Sequence, residues 1–282
     1  MNKSLKSFVH LTSFEVNRLF KFLVSIMSLT VLANLIGFTL VPWQYTSDIN
    51  QYMVQENATA TQALDIFSPF TLSRVTHSFW VMGPVALGVI AFLFYSFFIW
   101  YREWFGRNTF AYRLLMLPVS RMQLFFSKLL TIFIGIFSLV SIKLISLYIG
   151  HHIALAIVPE EFTTNLSFLH MLSEQFTFYY VLPIESSFFF PSIGLGLVFL
   201  IVLFTIILME RSFAIKGIVM GAAYGTGALL LVVFPFFLGD LFSNYYLLYD
   251  SELLLIEVTI LLIISIVSIG ISRHLLKHKI TI

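Results

Sequence analysis

The chain has 282 residues, 59% hydrophobic and 11% charged, with a formal net charge of +2 and no cysteine. That balance excludes a water-soluble globular domain, and so small a net charge gives no ground for nucleic-acid binding. Without cysteine there is no disulfide framework, thiolate metal site or cysteine nucleophile.

A hydrocarbon core about 30 Å thick takes roughly 20 apolar residues in helical form, and six runs meet or approach that length. The predicted fold is therefore all-α and integral to a membrane, a single domain over residues 1–282 with six transmembrane helices. In the first stretch, LKSFVHLTSFEVNRLFKFL places Phe8, Leu11, Phe14 or Glu15, Leu19 and Phe22 three and four residues apart, with Lys6, Arg18 and Lys21 elsewhere. This spacing predicts an amphipathic interfacial helix over 1–18, on the inner leaflet; the other reading is a first span that starts early with a basic flank. The first span is expected over 19–43. About twenty residues carrying Glu15, Arg18 and Lys21 lead into it, it exceeds the apolar region of a signal peptide, and no small-residue cleavage site follows closely, so it is expected to stay as a span.

Residues 44–78 follow as a polar connection containing Asn57-Ala58-Thr59, of the form that accepts N-glycans in a eukaryotic secretory protein. The second span is expected over 79–100, the third over 129–150, the fourth over 188–209, the fifth over 215–238 and the sixth over 253–271. Between the third and fourth, residues 151–187 carry a second triplet of this kind, Asn165-Leu166-Ser167, and a mixture of aromatic and acidic residues. There Tyr179 and Tyr180 suit headgroup level in a short interfacial helix, although a plain solvent-facing cap also fits.

Fourteen of the sixteen lysines and arginines fall on alternate connections: Lys3, Lys6, Arg18 and Lys21; Arg102, Arg107, Arg113, Arg121 and Lys128; Arg211 and Lys216; Arg273, Lys277 and Lys279. Positive residues are retained on the cytoplasmic side, so both termini are expected there, in a cell membrane. An even number of spans independently requires the termini to share a side.

The connection over 101–128 is long, basic and too rich in leucine and phenylalanine to be a floppy loop. Pro118 biases Leu117 away from helical geometry, so two short helices are expected to meet there, with Ser120 capping the second, Arg121 exposed in its first turn and Lys128 at the membrane surface. Taken alone, this basic segment also reads as a topogenic anchor on anionic lipid. The stretches EWFGRNT, from Glu103 to Thr109, and LLMLPVSRMQLFFSK, from Leu114 to Lys128, resemble the cytoplasmic connection of permease subunits of type-2 ATP-binding cassette exporters. The resemblance implies an ATPase-coupling segment made of Glu103, Gly106, Thr109, Leu114, Leu117, Pro118, Ser120, Arg121 and Lys128. It also implies a separate nucleotide-binding ATPase subunit that holds ATP and Mg, and a second permease subunit in a homodimer or heterodimer. This chain has no P-loop, so it is expected to bind no cofactor and to be no enzyme itself.

Three further features stand out. Gly217, Gly221 and Gly225 recur every four residues, a small-residue spacing that serves either packing within the chain or a dimer seam. Lys143 and Glu257 are ionisable residues inside spans, each a few residues from the outer end, and form a candidate intramembrane pair; snorkelling explains both as well. His151 and His152 near Glu160 and Glu161 are metal-ligand types, but adjacent histidines diverge on a helix and read as an interfacial polar cluster. The functional expectation is an exporter of lipid-like, peptide or drug-like molecules in a bacterium; the alternative is a membrane immunity, sensor or scaffold protein that needs no ATPase.

Overall fold

The computed structural model describes residues 3–104, 120–163, 167–168, 172, 186–241 and 249–279, and within them the chain is mostly helical, with short turns and one isolated bridge between the helices. The helices are α1 (Lys3–Glu56), α2 (Ala60–Phe67), α3 (Leu72–Thr76), α4 (Phe79–Trp104), α5 (Arg121–Ile157), α6 (Ser186–Phe213), α7 (Ile215–Leu241) and α8 (Asp250–His278), with a 3-10 turn at Glu160–Phe162. Six of them, α1 and α4 to α8, are long and apolar enough to cross a membrane. All six expected spans lie inside these helices, and the helices run further than the apolar runs do.

The difference is largest in α1. At 1.5 Å per residue its 54 residues extend roughly 80 Å, well over twice the hydrocarbon thickness. The interfacial helix expected over 1–18 is not set apart, since no break in the helix separates it from the first span. One face stays buried along the length: Thr12, Glu15, Leu19, Leu23, Ile26, Thr30, Asn34, Phe38, Tyr45 and Ile49. These positions follow the helical repeat, and the period puts Glu15, not the 43%-exposed Phe14, on the packed side. Pro42 lies inside the helix and does not end it.

Contacts divide the chain into two compact units, one made of Met1–Glu15, Phe94–Thr131 and Pro183–Ile282, the other of Val16–Leu93 and Ile132–Leu182. In the first unit, α6 is the central helix, with Ile201, Phe204, Ile207 and Leu208 all buried. It turns into α7 through Ala214 at φ 52°, and the Ala214 N–H closes on the Glu210 carbonyl at 2.8 Å. The glycine series of α7 faces α6: a Cβ on Gly217 would fall against the Met209 carbonyl, one on Gly221 would lie 2.9 Å from Ile206 Cγ2, and one on Gly225 2.8 Å from Ile206 Cδ1. These three glycines therefore serve helix packing within the chain. Gly227, by contrast, has nothing within 4 Å. Gly221→Ala is expected to cost about 1–2 kcal/mol through overpacking, whereas Gly227→Ala should be neutral or gain up to about 1 kcal/mol in helix propensity. Thermal unfolding of the two variants in detergent checks this through the opposite signs.

The second unit contains a packed cap beyond the apolar part of α1. Phe38, Tyr45, Ile49, Ala63, Phe70 and Phe162 belong to one buried cluster, with Ala154 and Val158 from the end of α5 region. The Phe70 N–H donates to the Phe162 carbonyl at 2.8 Å, and the Tyr45 hydroxyl donates to the Ser68 carbonyl at 2.8 Å. Arg74 lies 5.0 Å from the Tyr45 ring centroid, stacked over its face. The connection after the first span, expected as a polar stretch, is thus a folded element with a core of its own. Tyr179, Tyr180 and Asn165 lie outside the described residues.

Candidate functional site

The last turn of α4 gathers four consecutive side chains that each reach another helix of the first unit. Trp100 is 3% exposed and packs edge-on against Phe204 at 5.4 Å between ring centroids, with Phe125 at 6.4 Å. Tyr101 donates its hydroxyl to the Glu210 carboxylate, while the Arg211 guanidinium stacks over the Tyr101 ring at 4.4 Å and over Trp104 at 5.3 Å. Arg102 binds Glu15 of α1 at 3.0 Å, and Glu103 binds Lys128 of α5 at 2.5 Å.

Lys128 is the centre of this arrangement. Its ammonium has three protons, and all three find acceptors: Glu103 Oε1 at 2.5 Å, Glu15 Oε1 at 3.0 Å and the Ile99 carbonyl at 3.1 Å. The remaining side of the ammonium faces the Trp100 ring at 5.3 Å. Glu15 is also fully engaged, one oxygen on Lys128 and the other on Arg102. Two acidic and two basic side chains meet here, so Lys128 at 1% and Glu103 at 5% exposure each have a partner of opposite kind away from water. The Lys128 side chain, expected at the membrane surface, is covered within the chain by Glu103, Glu15 and Trp100.

The beginning of α5 has a second anchor. Ser120 is exposed and immediately precedes the helix, in the N-cap position expected for it, with its carbonyl accepting the Gln123 N–H at 2.8 Å. Arg121, expected to be exposed, is half-buried and donates Nη1 to the Leu276 carbonyl at 2.5 Å. Leu276 lies in the last turn of α8, where carbonyls have no partner within the helix and a cation complements the helix dipole. The two ends of the 105–119 connection are therefore held: Glu103 before it is tied to α1 and α5, and Arg121 after it to α8. Gly106, Thr109, Leu114, Leu117 and Pro118 fall outside the described residues.

A separate polar cluster occupies the second unit. Lys143, 5% exposed, donates to Asn34 Oδ1 at 2.6 Å and to the Val81 carbonyl at 2.8 Å. Asn34 in turn donates its amide to Ser146 Oγ at 2.5 Å. Lys143, expected as a candidate partner of Glu257, thus finds an amide and a main-chain carbonyl within its own unit, while Glu257 belongs to the other unit. Val81 sits one turn before Pro84, whose ring removes an N–H from the α4 ladder and opens the helix where a side-chain donor can enter. His151 is buried with its ring 5.3 Å from His152 and 5.8 Å from Phe168, and no group of metal-ligating residues occurs among the described residues.

Glu15, Trp100 and Asn34 were not singled out from the sequence, although a signal for two of them was present. Glu15 and Asn34 both lie on the buried repeat of α1, where a polar residue on a packed face requires a partner. Compared with family models, curated proteins and solved structures, the chain finds no match.

Proposed function

We propose that this chain is the permease subunit of an ATP-binding cassette exporter, in which a separate ATPase docks on the basic connection between α4 and α5. The observation that supports the reading is the anchoring of both ends of that connection by buried charge. Glu103 and Lys128 flank it and bind each other and Glu15, so a force applied to residues between them reaches α1, α4 and α5 together. Arg121 extends the same linkage to α8, and Tyr101 to α6 through Glu210. A segment that merely touched lipid headgroups would have no use for such linkage. In this reading both termini are cytoplasmic in a bacterial cell membrane, a second permease subunit completes the path, and ATP with Mg is bound by the partner. Leu117, which directly precedes Pro118 in the sequence, is the residue proposed to contact the ATPase.

The test is purification of the intact chain from its native membrane in mild detergent, beside Leu117→Asp. A stoichiometric nucleotide-binding subunit should accompany the parent chain and fall at least tenfold in the variant, while the variant's unfolding temperature stays unchanged. A parent chain that purifies without any ATPase, under conditions that keep other exporters assembled, refutes the proposal.

A further inference from the structure

One face of α1 changes character at Trp43. Below it the exposed residues are Leu29, Leu32, Ile36 and Leu40, 37–59% accessible and spaced by three and four, an apolar ladder of the kind that lies against lipid chains. Above it the same face continues through Ser47, Asn50, Gln51, Val54 and Gln55. Together with Ile157 at the end of α5, these residues and Trp43 line a groove of about 630 Å³. Trp43 stands at the junction with 61% of its surface accessible, where tryptophan is favoured between apolar and polar surroundings.

The chemistry of the groove is specific. None of its lining residues is ionisable. Ser47, Asn50, Gln51 and Gln55 can each donate and accept hydrogen bonds, and their side chains show no hydrogen bond to another described residue. A phosphate would call for arginine or lysine, and a quaternary ammonium for a cage of aromatic rings; neither is present in the groove. A ring bearing several hydroxyls matches both halves of the surface, since its hydroxyls pair with amides and its C–H face packs by dispersion on the indole.

We infer that this groove binds the uncharged, polyhydroxylated headgroup of a lipid, with the acyl chains lying along the Leu29–Leu40 ladder and Trp43 beneath the sugar ring. The inference concerns this groove alone and is independent of the ATPase reading. It is a binding site on the protein's own surface and needs no partner subunit.

The test uses the full chain labelled with 5-fluorotryptophan in nanodiscs of phosphatidylcholine, titrated with digalactosyl diacylglycerol and, in parallel, with phosphatidylglycerol. The Trp43 fluorine resonance is assigned by its loss in Trp43→Phe. It should shift saturably with the glycolipid and not with phosphatidylglycerol. In Asn50→Ala/Gln51→Ala the half-saturating glycolipid fraction should rise on the order of tenfold, the effect of two lost hydrogen bonds. Both sites are solvent-exposed, so the unfolding temperature should not change and a folding defect is excluded directly. A shift that is linear in any lipid, equal for the anionic lipid, or unaltered in the double variant overturns the inference. So does a resonance that never moves, which would mean that the groove is filled by the chain itself.

Discussion

Replacing Lys128 by methionine is expected to destabilise the first unit by about 3–5 kcal/mol, because the substitution leaves buried Glu103 without its basic partner and takes one of two such partners from Glu15. Glu103 loses its closest partner, Glu15 keeps only Arg102, and the Ile99 carbonyl gives up an additional donor. Methionine fills nearly the same volume, so cavity formation contributes little and the effect is electrostatic. The companion variant is Glu103→Gln/Lys128→Met, which removes one charge of each sign and leaves the Glu15–Arg102 pair intact. It should recover about 2 kcal/mol or more of the loss, since a neutral pair of similar shape carries no stranded charge. Thermal or denaturant unfolding in one detergent gives both numbers and the coupling between the sites. A single Lys128→Met variant within about 1 kcal/mol of the parent would mean that the ammonium is hydrated and the cluster does not exist as described; 1 kcal/mol is the ceiling for an exposed pair. The same two variants bear on mechanism. On the proposed exporter reading, the double variant should fold well and still lose ATP turnover in the complex with the proposed ATPase.

The six spans were legible because lipid imposes one requirement, about 20 apolar residues per crossing, and composition reports it directly. Helix ends were less legible for the same reason: hydropathy senses where a helix leaves lipid, not where it stops. Thus α1 passes Pro42 and continues to Glu56 with Tyr45, Ile49, Tyr52 and Met53 facing a core that no run of apolar residues announces. That core is assembled from single residues far apart in the chain, Phe38 with Gly150 and Phe70 with Phe162, and neither periodicity nor propensity encodes such pairs. The ion cluster lies between these cases. Lys128 at the start of an apolar run reads as a snorkelling flank unless Glu15 and Glu103 are recognised as belonging to packed faces. The repeats of α1 and α4 do contain that information: Thr12, Glu15, Leu19 on one helix and Phe92, Ser96, Ile99, Glu103 on the other are spaced as buried stripes. What the spacing lacks is the pairing between stripes. The same holds for Lys143, whose partner Asn34 sits on the α1 stripe but 109 positions away.

Phe70→Ala is expected to cost about 3–5 kcal/mol, and to do so locally. The ring is fully buried, packs at 5.1 Å from Tyr45, and belongs to a cluster whose other members come from α1, α2, α3, α4, α5 and the segment from Val158 to Phe162. Phe70 also carries the main-chain tie of the cap, the bridge to Thr163 with the bond to the Phe162 carbonyl. Removing the ring should release α2, α3 and the 3-10 turn together, because each is too short to persist without the shared core. Amide exchange followed by mass spectrometry is the discriminating measurement: protection should fall across 60–76 and 158–163, while peptides from α6 and α8 keep theirs. Tyr45→Phe supplies the scale, since it removes the hydrogen bond to the Ser68 carbonyl and leaves the ring in place, a loss of about 1 kcal/mol. Equal exchange in Phe70→Ala and the parent would show that the segment after the first span has no cooperative core. Loss of protection throughout the chain would show instead that the cap and the membrane helices fold as one unit, and the long extension of α1 beyond its apolar part would then be a structural strut whose stability the cap supplies.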